Sequence, residues 1–94
     1  MLTFEDCIAL SDLTEEEVDA IAEHEHVPEM VAVELGCCLV HCADGQRRIA
    51  TFIREDIDRA RRHGNARHAE ELTAVLRGFV AHHEGLYAPW NMAT

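Results

Sequence analysis

The strongest constraint on the fold is the spacing of apolar residues, which recur every three or four positions through most of the chain. Between residues 46 and 63 this apolar stripe consists of Ile49, Phe52, Ile53, Ile57 and Ala60. Between residues 66 and 83 it consists of Ala69, Leu72, Leu76, Phe79 and Val80. The period matches the turn of an α-helix, and no segment alternates apolar and polar residues as a half-exposed strand does. The pattern therefore predicts an all-α protein.

Local start and stop signals divide the pattern into helices. Thr14 followed by Glu17 is a capping box, a pair that satisfies two free backbone N–H groups where a helix begins. Pro28 suits the first turn of a new helix, and Gly64 followed by Asn65 suits the end of one helix and the start of the next. We predict helices over 14–26, 28–42, 46–63 and 66–83, with a short one around Phe4 to Leu10.

Short connections restrict how these helices can pack. Because only two residues link the last two helices, they should form an antiparallel hairpin, and we predict a four- to five-helix bundle built from such hairpins. A chain of 94 residues provides one core, so residues 1–85 should form a single helical domain and residues 86–94 an extended tail. The segment 28–42 is apolar nearly all round, which predicts the central helix, and Asp44 is the predicted N-cap of the next one.

Charge is divided unevenly along the chain. Residues 1–45 carry twelve acidic residues and no Arg or Lys, whereas residues 46–94 carry six acidic residues and eight arginines. The acidic half repels phosphate, and residues 28–42 lack the Arg, Lys, Asn and Gln side chains that read base edges. We therefore expect no nucleic-acid partner. A basic protein surface, or the basic half of a second copy, suits the acidic half better.

We expect neither a secretory signal nor a membrane span in this sequence. A signal peptide opens with a cationic segment, whereas the first residues of this chain include the acidic Glu5, Asp6 and Asp12. Every apolar run falls far short of the ~20 residues that a membrane span needs. We expect a cytoplasmic protein with no membrane partner, whose four cysteines are reduced thiols.

One segment combines several side chains of metal-ligand type. On a helix, one face would carry Glu34, Cys37, Cys38, His41 and Cys42. Thiolate and imidazole favour zinc, and a carboxylate ligand would also suit iron. The same spacing is typical of the less buried edge of an amphipathic helix in which cysteine is a small apolar filler. The spacing matches no paired CxxC or HExxH motif, so both interpretations stay open.

Histidines should gather at the two ends of the bundle if successive helices alternate in direction. At one end the candidate metal ligands are Cys38, His41, Cys42, His82 and His83. At the other end, Glu23 and His26 have the Glu-x-x-His spacing of di-iron bundles, although no second such pair is present. We predict no catalytic residue, because Ser11 is the only serine and no nucleophile elbow surrounds it.

The tail suggests a contact between subunits. It holds two of the five aromatic residues, and we predict an interface through Tyr87, Trp90 and Met92. A tail folded back over its own helices is the alternative. The function that we predict is a non-catalytic interaction or regulatory module that forms a homo-oligomer, most simply a dimer. The alternative is a small zinc or iron protein using the Cys/His residues, and no other cofactor is predicted.

Overall fold

The structure, a computed structural model, describes residues 3–83. Within that range the chain forms α-helices and no β-strand. The five helices are α1 (Phe4–Ser11), α2 (Glu15–Glu25), α3 (Glu29–Val40), α4 (Ala43–Arg62) and α5 (Ala66–His82). The predicted all-α bundle is confirmed, while the antiparallel arrangement of its hairpins stays a prediction. The predicted boundary between residues 1–85 and the tail 86–94 lies outside the described residues.

Side-chain oxygen atoms cap the starts of three of the helices. In α2, Thr14 Oγ1 accepts a hydrogen bond from the Glu17 N–H at 3.1 Å, and Glu17 Oε1 accepts one from the Thr14 N–H at 2.9 Å. Thr3 and Asp6 repeat this capping box at the start of α1. Asn65 Oδ1 caps α5 by accepting from a backbone N–H of the first turn at 3.2 Å. The predicted starts at Thr14 and Asn65 are confirmed, and each cap satisfies donors that the first helical turn leaves without partners.

The start of α4 corrects a prediction. Its N-cap is Cys42, whose Sγ accepts a hydrogen bond from the Gly45 N–H at 3.3 Å. Asp44, the predicted N-cap, lies instead in the exposed first turn of the helix. Near this start, Gly45 packs directly on the backbone of Leu39, where a Cβ would overlap the Leu39 carbonyl. The absent side chain lets the end of α3 and the start of α4 approach closely.

The central helix is α4, which packs against α2, α3 and α5. It buries seven residues: Gly45, Ile49, Ala50, Ile53, Asp56, Ile57 and Ala60. The segment 28–42 was predicted to be the central, most buried helix, and this was wrong, because Met30 and Val31 of this segment are 43% and 45% exposed. Helix α3 contacts α1, α2 and α4, and these neighbours cover one of its sides. Its buried residues are Ala32, Val33, Gly36 and Val40.

Close packing fixes α3 on its neighbours. A Cβ on Gly36 would lie 2.6 Å from Leu13 Cδ1 and 3.0 Å from Ile21 Cδ1, so the helix backbone rests directly on these two side chains. The core continues into α5, where the predicted stripe is buried at Ala69, Leu72, Phe79 and Val80. Among residues 3–83, no helix combines the length and the apolar character needed to cross a membrane.

Candidate functional site

Three of the predicted metal ligands lie around the junction of α3 and α4. Cys38 is exposed on α3. His41 ends that helix, and its Nδ1 donates a hydrogen bond to the carbonyl oxygen of Cys37. The Cys42 thiol caps α4. Two of the three side chains therefore have a structural role at a helix end.

The other two predicted ligands lie at the end of α5. His82 is exposed, whereas His83 is buried and packs on Phe79, with the ring centroids 4.3 Å apart and the rings tilted by 32°. His83 Nδ1 donates to the Phe79 carbonyl oxygen at 2.8 Å. In residues 3–83, no three His, Cys, Asp or Glu side chains are placed to hold one metal ion, and each cysteine is a free thiol. Zinc or iron binding stays a prediction from the sequence.

A different group of ionisable side chains lies where α2, α4 and α5 meet. We name it the acid–histidine cluster, and its members are Glu23, His24, Glu25, Glu55, Asp56, His68 and Glu71. It contains Glu23 of the Glu-x-x-His spacing, but His26 is the exposed residue that ends α2 in a left-handed conformation, with φ 56°. The cluster therefore differs from the arrangement that the di-iron spacing would require.

His24 connects α2 to α4. Its Nδ1 lies 2.8 Å from Glu25 Oε2, its Nε2 lies 2.6 Å from Glu55 Oε1, and its ring stacks on Phe52. Burial lowers the pKa of His24, but the hydrogen bonds to Glu55 and Glu25 outweigh burial, so the pKa is raised above its ordinary value.

His68 makes the corresponding connection between α5 and α2. Its Nε2 lies 2.8 Å from Glu23 Oε1, and its Nδ1 lies 3.3 Å from Glu71 Oε1. The hydrogen bond to Glu23 is the largest influence, and it raises the pKa of His68 against the opposing effect of burial.

Both imidazole rings have carboxylate oxygens on both of their nitrogens. An ionised carboxylate can only accept a hydrogen bond, whereas a neutral imidazole has a single N–H to donate. Both contacts of His24, and both contacts of His68, are therefore satisfied together only when the ring is protonated. The geometry suits two imidazolium ions.

Asp56 lies between these connections with no exposed surface. Neither of its carboxylate oxygens has a hydrogen-bond partner among the described residues. Burial and the nearby charge of Glu23 raise the pKa of Asp56 from 3.8 to about 6, against the opposing charges of His24, Arg59 and His68. Keeping this carboxylate ionised in the fold therefore costs about 3 kcal/mol once the pH exceeds both pKa values.

Asp56 is missing from the predicted site residues, although the sequence carries a signal for it. It lies three residues after Ile53 and four before Ala60, so it occupies the apolar stripe of α4. A carboxylate inside such a stripe is unusual, because a buried charge without partners is costly. The partnership of His68 with Glu23 has no comparable local signal, since 45 positions separate the two residues.

A groove runs beside the end of α5. It has a volume of about 300 Å³, and its lining includes Glu17, Val75, Gly78 and His82. A Cβ on Gly78 would meet nothing within 4 Å. Burial raises the pKa of Glu17 above its ordinary value, despite the hydrogen bonds at the start of α2 and the nearby histidines. The predicted interface residues Tyr87, Trp90 and Met92 lie outside the described residues.

The outer side of α3 leaves large apolar side chains uncovered. Met30 is 43% exposed and Val31 is 45% exposed, and the exposed Glu34 and Cys38 continue the same side. At the start of this helix, the hydrogen bond and the negative charge of a neighbouring aspartate on α2 raise the pKa of the Glu29 carboxyl. An apolar strip beside negative charge is a surface suited to protein contact.

A comparison with protein-family models finds no match to this chain, and comparisons with curated proteins and with solved structures find none either.

Proposed function

We propose that this protein is a non-catalytic helical module that self-associates in the cytoplasm and acts through protein contacts. The observation that carries the proposal is the uncovered outer side of α3, with Met30 and Val31. On α1, which packs against α3, Leu10 is 69% exposed. Covering the exposed parts of Met30 and Val31 would contribute about 1 kcal/mol each.

A second copy of the chain is the partner that we propose for this surface. Each copy carries its acidic residues mainly on residues 1–45 and all its arginines on residues 46–94. Acidic residues of one subunit can therefore pair with arginines of the other, which favours association and orients the contact. A basic surface on another protein would offer the same complementarity and is the second kind of partner that we consider.

The tail is the second contact that we propose. In the sequence, the tail 86–94 begins four residues after His82, which ends α5 and lines the groove. Tyr87 and Trp90 can bury a large area for little loss of side-chain entropy, which is the usual role of aromatic residues in interfaces. We therefore retain Tyr87, Trp90 and Met92 as the interface residues of the proposal.

Light scattering on the full-length chain and three altered chains separates the two contacts. Val31→Glu places a charge on the outer side of α3 and should shift the full-length chain from dimer towards monomer, because the charge would have to be buried. A chain ending after Gly85 tests the tail in the same way. Ala66→Glu adds the same charge at an exposed site on α5 and serves as the matched control.

Equal association of Val31→Glu and Ala66→Glu would show that the outer side of α3 is not an interface. Equal association of the shortened and full-length chains would remove the tail from the proposal. A full-length chain that stays monomeric at high micromolar concentration would contradict self-association as a whole. The sequence-based alternative, a zinc or iron protein using Cys38, His41, Cys42, His82 and His83, requires bound metal in the purified protein.

A further inference from the structure

The contacts of α2 with α4 and α5 depend on groups that bind protons. His24 of α2 meets Glu55 of α4 at 2.6 Å, and Glu23 of α2 meets His68 of α5 at 2.8 Å. Asp56 is buried between these two connections and lacks a hydrogen-bond donor within residues 3–83. Each connection is complete only with a protonated imidazole, as the carboxylates on both ring nitrogens require.

We propose that the acid–histidine cluster is a proton-binding device that holds α2 against α4 and α5 at mildly acidic pH and weakens this attachment as the pH rises. This regulation is separate from self-association and does not depend on it. Loss of protons from the two imidazoles removes positive charge from the surroundings of Asp56. Less positive charge then compensates the buried, ionised carboxylate of Asp56. All three groups therefore stabilise the fold less as the pH rises.

The charged surroundings of Asp56 come from three helices. Glu23 and His24 face it from α2, Arg59 from its own helix and His68 from α5. Of these, Glu23 opposes the ionised carboxylate and the other three favour it. Because arginine side chains stay protonated in proteins, pH acts through the histidines and the carboxyl groups.

The remaining members of the cluster are the other hydrogen-bond partners of the two histidines. Glu25 and Glu55 accept from His24, and Glu71 accepts from His68. Helix α3 also packs on α4, but its Glu29 is directed to Asp19 of α2.

The sign of the pH dependence follows from the pKa shifts. The raised pKa values of His24 and His68 add stability below about pH 6.5, and this stability is lost as the pH rises through the folded pKa values. Because the pKa of Asp56 is raised in the fold, ionisation of Asp56 lowers the free energy of unfolding progressively between pH 3.8 and about 6. Above that range the reduction is complete. Rising pH therefore destabilises the bundle through each of the three groups.

The experiment measures the unfolding constant of the full chain in denaturant at about pH 5 and about pH 8, at one protein concentration. Asp56→Asn replaces the carboxylate with a neutral group of the same shape. With a pKa of 3.8 in the unfolded chain and about 6 in the fold, the ratio of wild-type to variant unfolding constants should rise by about tenfold between the two pH values. Asp58→Asn makes the same charge change at an exposed position of α4 and is the matched control.

His68→Gln tests the connection between α5 and α2. Its unfolding constant should exceed that of the wild type by a larger factor at about pH 5 than at about pH 8, because the lost imidazolium acts at the lower pH. His63→Gln, an exposed histidine outside the cluster, is the control. A pH response of Asp56→Asn equal to that of Asp58→Asn, or of His68→Gln equal to that of His63→Gln, would overturn the proposal.

A measurement on the wild-type chain keeps the test independent of whether the variants fold. Carbon NMR follows the ionisation of the Asp56 carboxyl directly, and amide hydrogen exchange reports the opening of α2. The proposal requires the Asp56 carboxyl to ionise at about pH 6 and the α2 amides to exchange more readily from the opened state above that pH. Ionisation of Asp56 below about pH 4.5 would contradict it.

Discussion

Gly64 and Gly78 should respond to alanine in opposite directions. Gly64 follows the end of α4 with φ 74°, a left-handed conformation in which a Cβ costs roughly 1–2 kcal/mol. Gly78 lies inside α5, where a Cβ would meet nothing within 4 Å, so alanine should stabilise the helix by about 0.5–1 kcal/mol. Denaturant unfolding of Gly64→Ala and Gly78→Ala measures both effects. The same sign for the two substitutions would contradict the described backbone.

At the residue scale, the sequence predicts short-range partnerships and misses long-range ones. The pair Thr14 and Glu17 is predictable because three positions separate its members and the capping geometry is local. His24 and Glu55 are 31 positions apart, and their contact exists only because α2 packs on α4. The burial of Asp56 could be predicted from its place in the apolar stripe of α4. Identifying the histidines near it requires the tertiary structure.

At the scale of elements, the start of α4 offers a test between a structural cysteine and a metal ligand. Cys42 Sγ caps this helix through the Gly45 N–H, and a serine hydroxyl accepts hydrogen bonds better than a thiol does. Cys42→Ser should therefore leave the free energy of unfolding unchanged or raise it by up to about 1 kcal/mol. Denaturant unfolding of the wild type and of Cys42→Ser measures this change.

Elemental analysis of the same proteins decides between the two interpretations. If the Cys/His residues hold zinc or iron, the wild-type protein should contain near-stoichiometric metal, and Cys42→Ser should lose both the metal and the stability that it provides. Protein prepared without chelator that holds no metal, together with a stable Cys42→Ser, would favour the capping role.

Helix α3 shows that the apolar content of a segment does not by itself predict its position in the bundle. Its sequence could fill a central position, but which sides of a helix are covered depends on its neighbours. Helices α1, α2 and α4 cover one side of α3, and Met30 and Val31 on its other side stay exposed. Helix α4 has a sharper division between its apolar and charged faces. The apolar surface of α3 that the bundle leaves uncovered is the basis for the proposed interface.

At the scale of the whole molecule, charge and pH act together. The chain has a formal net charge of −10, so self-repulsion grows as the remaining groups lose protons. The groups with raised pKa values, Glu17, His24, Glu29, Asp56 and His68, all favour the protonated form of the folded protein. Pairing the acidic residues of one copy with the arginines of another would relieve this repulsion, which connects the charge distribution to self-association.

The solution mass of the full-length chain tests the proposed self-association most directly. Sedimentation equilibrium across a range from low to high micromolar concentration should show a mass that rises from 10.6 kDa towards about twice that value. High salt should weaken the association, because the paired charges lie at an interface with access to solvent. A mass of 10.6 kDa at every concentration would contradict the account.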